Sequence, residues 1–234
     1  MTLTVALTAR DGIVMATDSR GTVGDPRGLT AISDDAVKLF GLGACGLTTA
    51  GASELGAALL DELQKAGLGQ FPDIDLAAAQ IRPKCAALYQ EWFGQIPPKE
   101  RPAVMFTLAG YRSPRSAAPR PLTYMLVSPN NFAPMLFESK PCLAGVPQYA
   151  VYLVHRYYDA TIDLERAKSL AEYLITETAS QDPKVGGPVQ MATITPSSGF
   201  SSLTPEAVRS IHDGNDRLNS RLRVFFKEGG DGDA

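Results

Sequence analysis

At 234 residues and 44% apolar composition, the chain is long enough to bury a sizeable core as one domain. Its formal charge of −3 gives no electrostatic footprint for nucleic acid or for an anionic membrane surface. No apolar run approaches the ~20 residues that span a bilayer, and the opening residues lack the basic stretch and hydrophobic block of a signal peptide.

The opening stretch, Thr2-Leu3-Thr4-Val5-Ala6-Leu7-Thr8, alternates larger apolar residues with small or hydroxylated ones. That period of two predicts a half-buried strand. Asp11-Gly12 signals a tight turn, and Ile13 to Ala16 continue as an apolar strand ending in Thr17-Asp18-Ser19-Arg20. A hairpin about Arg10 to Ile13 would set the first residues level with Asp18 to Arg20. Gly21 to Ser33, rich in Gly, Pro and Asp, reads as a loop. Val37 to Leu42 and Leu47 to Gly51 predict a second hairpin with its turn over Gly43 to Gly46. If Leu42 faces Leu47, the same register sets Lys38 opposite Gly51.

Leu55, Leu59, Leu60 and Leu63 recur at helical spacing over Ala52 to Ala66, and Gly67 stands where a helix would stop. Asp75 to Phe93 predicts a second helix, with Pro83 implying a kink or a late start. Ala103 to Ala109, Leu122 to Val127 and Pro134 to Glu138 read as strands. Val146 to Tyr158 and Asp163 to Ser180 read as helices, the latter with Asp163 as N-cap. A strand over Val189 to Thr195 follows, and Thr204-Pro205-Glu206 opens a last helix towards Phe225. Strands arrive in blocks with helices between them, which predicts an α+β layered domain over a doubly wound parallel sheet. Residues 1–228 are expected to form a single domain and 229–234 a disordered tail. Cys45, Cys85 and Cys142 are odd in number, widely spaced and set in apolar contexts. They read as reduced core residues of a cytoplasmic protein.

Several familiar chemistries fit poorly. The glycines of Gly41-Leu42-Gly43-Ala44-Cys45-Gly46 have dinucleotide-motif spacing, but the β-like Leu47-Thr48-Thr49 follows where that motif needs a helix. A hairpin turn explains them. The two histidines, His155 and His212, both lie in helical patterns and read as surface or satisfied residues. No paired Cys or His falls at metal-ligand spacing, so neither a metal nor a cofactor is expected.

The N-terminal group differs in kind. Removal of Met1, the usual fate of an initiator before a small residue, would leave Thr2 with a hydroxyl and a free α-amine. That amine has a reference pKa of roughly 7.7–8.0, close to working pH, and can relay the hydroxyl proton. Lys38 would add positive charge beside it, Asp18 would hold the ammonium, and Arg20 would orient the strand end. The Gly51 N–H is the natural oxyanion donor. Taken singly, Asp18 with Arg20 could be a surface ion pair and Lys38 a strand-edge charge.

With these residues in place, the chain resembles proteasome β-type subunits. The resemblance is carried by Thr2-Leu3-Thr4-Val5, Asp11 to Arg20, Lys38-Leu39-Phe40 and Ala50-Gly51. It runs more thinly through Gly145-Val146-Pro147, Asp182, Gly186-Gly187 and Met191 to Ile194. It implies a four-layer αββα sandwich, an N-terminal-nucleophile threonine peptidase, and rings of identical copies enclosing the sites, with peptides or unfolded chains as substrate and an unfoldase as a possible feeder. Thr2 matches the nucleophile, Asp18 and Lys38 its charged partners, Arg20 a support, Gly51 the oxyanion amide and Asp182 an outlying carboxylate. Gly21, Ala36 and Thr49 match the lining of the pocket for the substrate side chain. Two serines usual near the nucleophile are replaced by Ala144 and Val185. Two alternatives stand beside the peptidase: a catalytically silent structural ring subunit, and a hydrolase of a small amide.

Overall fold

The first hairpin is the centre of the molecule. The computed structural model describes residues 2–24, 30–138 and 140–228; Met1 and the expected tail at 229–234 lie outside them. Strands β1 (Leu3–Ala9) and β2 (Gly12–Thr17) pair antiparallel, Thr4 opposite Thr17 and Ala9 opposite Gly12. Every residue of both strands is buried, so β1 is not the half-buried strand its alternation suggests. The alternation sorts two buried faces instead. Leu3, Val5, Leu7, Val14 and Ala16 join an apolar cluster with helical residues, while Ala6, Ile13 and Met15 join a smaller cluster with residues of a second sheet. Thr4 and Thr107 also meet across that gap, hydroxyl to hydroxyl at 3.4 Å.

The remaining elements in chain order are β3 (Gly21–Gly24), β4 (Thr30–Ser33), β5 (Leu39–Leu42), β6 (Cys45–Gly51), α1 (Ser53–Lys65), α2 (Ile74–Phe93), β7 (Val104–Arg112), β8 (Arg120–Val127), β9 (Met135–Phe137), β10 (Cys142–Gly145), α3 (Gln148–Tyr157), α4 (Leu164–Gln181), β11 (Gln190–Thr195), β12 (Gly199–Ser202) and α5 (Pro205–Glu228). One five-stranded sheet has the order β10-β1-β2-β11-β12, a second the order β5-β6-β7-β8-β9, and β3-β4 form a separate ribbon. All these pairings are antiparallel.

Helices cover each sheet on the side away from the other. Leu55, Leu59 and Leu63 of α1 and Ile74, Ile81 and Cys85 of α2 pack with Leu47, Phe106, Leu108 and Leu126. Ala150 and Val154 of α3, and Ala167, Leu170, Leu174 and Ile175 of α4, pack on the first sheet. Each fully buried Leu or Ile in these clusters contributes roughly 1.5–3 kcal/mol. The fold is therefore mixed α/β with antiparallel sheets. Among the described residues, no helix is long and apolar enough to cross a membrane.

Several local expectations are corrected. The stretch expected as loop contains the β3-β4 ribbon, Gly21 opposite Ser33. The β5-β6 register is Leu42 opposite Cys45, closed by Gly43 and Ala44, so Leu42 does not face Leu47 and the pairing of Lys38 with Gly51 fails. The amide N–H of Thr49 instead meets the Lys38 carbonyl at 3.1 Å. Helix α2 begins at Ile74 and runs through Pro83 without a late start. Pro83 and Ala79 are exposed, so the carbonyl left without a partner by the missing N–H lies on the wet side of the helix. The spaced glycines at Gly41 and Gly46 serve packing: a Cβ at either would strike the Phe200 ring, at 2.6 Å and 2.9 Å.

Candidate active site

Thr2 leads into β1 at the sheet edge where β10 ends, with Leu3 opposite Gly145. Its carbonyl accepts the Val146 N–H at 2.9 Å, and the residue is only 4% exposed. Gly145 has φ 92, and a Cβ there would fall 1.7 Å from the Thr2 oxygen. Only glycine lets β10 turn this closely past the first residue.

Beyond Thr17, β2 delivers Asp18 beside Thr2. The Asp18 carboxylate is fully buried and accepts the N–H of Leu3 at 3.1 Å, of Arg20 at 3.0 Å and of Gly186 at 3.2 Å. The Lys38 ammonium donates to both Asp18 oxygens at 3.1 Å and to the Arg20 carbonyl at 2.7 Å. Lys38 is 1% exposed, an unusual place for a lysine without a counter-charge. Burial pulls its amine below the ordinary lysine value, and Asp18 opposes that pull. Burial pushes the Asp18 carboxyl up, against the Lys38 ammonium and the Gly186 and Arg20 amides. The pair thus sits nearer to exchanging a proton than either group in water.

Arg20 does not touch Thr2. Its guanidinium grips Asp34 through Nε at 2.7 Å and Nη2 at 3.0 Å, and Nη1 donates to the Pro183 carbonyl at 3.0 Å. That contact ties β2 to the turn after α4, the turn whose Gly186 N–H reaches Asp18. Asp182 caps this turn, its Oδ1 accepting the Lys184 N–H at 2.9 Å, so its carboxylate acts on the loop. Gly51 ends β6 with φ 99, exposed and opposite Val104. Gly21 and Ala36 are neighbours, since a Cβ on Gly21 would lie 3.7 Å from that of Ala36. Thr49 joins them through its bond to Lys38, and its buried hydroxyl has no partner. The three residues assigned to the substrate pocket thus lie around the Lys38 backbone.

Ala144 is 3% exposed opposite Thr4, and Val185 is fully buried in the apolar cluster under α4. Neither offers Thr2 a hydroxyl. Asp34 and the Gly186 amide are site residues that sequence reasoning passed over. The only signal for Gly186 was the Gly186-Gly187 pair, and Asp34 stood in a stretch too polar to single out. Among the described residues, no group of three or more His, Cys, Asp or Glu is placed to hold a metal.

No protein-family model matches the chain, and no curated protein matches it. Solved structures do. The helical assembly of the Anbu complex from Pseudomonas aeruginosa matches with a TM-score of 0.77 at 19% identity, covering 99% of this chain and 98% of that one. Anbu (ancestral beta-subunit) from Yersinia bercovieri gives 0.73 at 16% identity, with 99% of both chains covered. An Anbu Gly-1 mutant from Hyphomicrobium sp. strain MC1 gives 0.72 at 17%, with both chains covered in full, 100% each. The fold is therefore of the Anbu type, and at these identities the likeness is one of fold. The resemblance to proteasome β-type subunits is corrected accordingly: these neighbours are Anbu proteins, a distinct family with a proteasome-like fold.

Proposed function

We propose that the chain is a self-assembling subunit of Anbu-like fold, a four-layer αββα arrangement, and that it works in the cytoplasm. Support for assembly comes from the Pseudomonas aeruginosa protein, described as a helical assembly, and from α5. Leu218, Leu222, Phe225 and Phe226 on that helix are 53%, 41%, 60% and 77% exposed, and exposed apolar residues grouped on one element mark an interaction surface.

Within that subunit we assign amide hydrolysis to Thr2 after removal of Met1, with peptide bonds as the substrate. The Thr2 hydroxyl attacks the carbonyl carbon, its proton passing through the α-amine to the leaving amine as the C–N bond breaks. Water then cleaves the Thr2 ester and restores the hydroxyl. Lys38 supplies positive charge beside the reacting oxygen, and the Gly51 N–H receives the oxyanion, a role worth roughly 3–4 kcal/mol in other acyl-transfer sites. The observation that carries this reading is the buried Asp18–Lys38 pair, whose carboxylate accepts the N–H of Leu3, the residue after Thr2. A structural subunit has no use for two desolvated charges there.

A silent structural subunit is the second reading, favoured by Ala144 and Val185, which leave Thr2 without neighbouring hydroxyls. Intact mass and probe labelling separate the two. The hydrolase reading expects a mass lacking Met1, stoichiometric labelling by a β-lactone, and none in Thr2→Ala. A chain that keeps Met1 and takes no label leaves the silent subunit. Turnover of a peptide library against small amides tests the substrate class.

A further inference from the structure

Lys38 stands just ahead of β5, an edge strand that among the described residues pairs only with β6. Amides on the outer side of such an edge have no strand partner. Here a side chain from the other sheet takes their place. Gln190 Oε1 accepts the Lys38 N–H at 3.0 Å and the Leu39 N–H at 3.2 Å, while Nε2 donates to the Ala36 carbonyl at 2.7 Å. Two donors and one acceptor fix which way the amide points, and only Gln or Asn carries both functions on one short plane. The backbone of Gln190 is meanwhile pinned in β11 opposite Thr17, the residue before Asp18.

We infer that Gln190 is a positioning residue for Lys38: from the strand beside Asp18 it grips the backbone that carries the ammonium, and so sets the distance between the two charges. This rests on the proposed Thr2 chemistry for its effect on rate, though not for its effect on Lys38. Strand pairing does not do this job, because Asp18 follows a strand of one sheet and Lys38 precedes a strand of the other; the backbone adds one bond across, from the Ala36 N–H to the Ser19 carbonyl at 3.0 Å. The Gln190 side chain spans the two, and misplacement of a reacting group by about 1 Å costs on the order of 10²-fold in rate.

Gln190→Met keeps the length of the side chain and removes all three bonds. In the full-length protein we expect β-lactone inactivation to slow by about 10- to 100-fold in its maximal rate, with the probe's half-saturating concentration within about 2-fold of wild type. Amide exchange at Lys38 and Leu39 should quicken by about 10-fold or more with β1 and β2 unchanged, and acetylation of the Lys38 amine by an N-hydroxysuccinimide ester should quicken with it. Gln190→Glu retains the acceptor and should recover protection at both amides, with an intermediate inactivation rate; it also serves if the Met variant fails to fold. Unaltered exchange and acetylation at Lys38 in both variants overturn the inference, as does loss of protection spread evenly through β1 and β2. If the wild type takes no label while exchange and acetylation at Lys38 still change, Gln190 keeps its role and the hydrolase reading falls instead.

Discussion

Asp18 and Lys38 have side chains 0% and 2% exposed, so each depends on the other for having left water. They do not depend equally. Asp18 keeps three backbone N–H donors whatever happens to Lys38, whereas Lys38 without Asp18 retains one carbonyl, that of Arg20. Asp18→Asn should therefore cost about 3–5 kcal/mol, the usual penalty for stranding a buried charge, and Lys38→Met clearly less. The double variant should be more stable than the sum of the two single losses implies, since the methionine removes the stranded charge. Urea unfolding of the three variants measures this. The pH dependence follows from the sign of the shift. A lysine held below its ordinary value of 10.5 contributes stability that is full above 10.5 and lost as pH falls through its folded value. Asp18→Asn removes the carboxylate that opposes the depression, so its deficit should shrink as pH rises towards 10.5. A deficit that stays constant as pH rises would mean that Lys38 keeps its charge in the variant as in the wild type, wet or paired elsewhere.

Individual elements show what periodicity can and cannot reveal. The two strands of the first hairpin and the helices α1, α4 and α5 were legible because each repeats a pattern over many residues. Four-residue strands, β5 excepted, were not: β10 and β12 offer no period to read, and β3-β4 lies in a stretch whose glycines, proline and aspartates signal a loop. The placement of Asp18 against the first residues was legible through the hairpin, which fixes it there by local pairing. Gln190, by contrast, meets Lys38 from a residue 152 positions away, and nothing in its local sequence marks it. At the start of α2, a polar cluster of shorter sequence range, 37 and 49 residues, can be tested directly. The Asp75 carboxylate holds both Arg112 Nη2, at 2.9 Å, and the Tyr124 hydroxyl, at 2.6 Å, joining the helix to β7 and β8. The Arg112 guanidinium is the chief cause that holds Asp75 below its ordinary 3.8, with the Tyr124 hydroxyl adding to it. A depressed carboxylate contributes stability present above 3.8 and lost as pH falls through its folded value. With side chains 41% and 38% exposed the pair is well screened, so Arg112→Met should cost about 1 kcal/mol or less, roughly 2–4 °C in Tm at neutral pH. Scans of variant and wild type should converge as pH falls below 3.8 and through the folded value of Asp75.

At the scale of the molecule, the separation between site and proposed assembly surface matters most. Every residue assigned to the site comes from one chain: Thr2 and Asp18 from the first hairpin, Lys38 from the edge of the second sheet, Gly186 from the turn after α4. The apolar surface offered for assembly lies instead on the outer part of α5. Val208 at the inner end of that helix is buried against the first sheet's helices, and Asn215 and Asn219 bond Glu172 and Glu177 of α4. Leu218, Leu222 and Phe225 then follow at intervals of four and three, which places them on one face, and that face is turned to water. A second copy covering it would bury three exposed apolar residues of α5 at no cost to the core. Leu222→Glu with Phe225→Glu should therefore reduce the assembly seen by mass photometry to single subunits or small oligomers, with an unaltered circular dichroism spectrum. The residues assigned to the site all lie in this chain, so the β-lactone should still label Thr2 in these dispersed subunits within a few-fold of the assembled rate. Dispersal that abolishes labelling would show that the site is completed across the subunit boundary, and an assembly indifferent to both charges would move the interface away from α5.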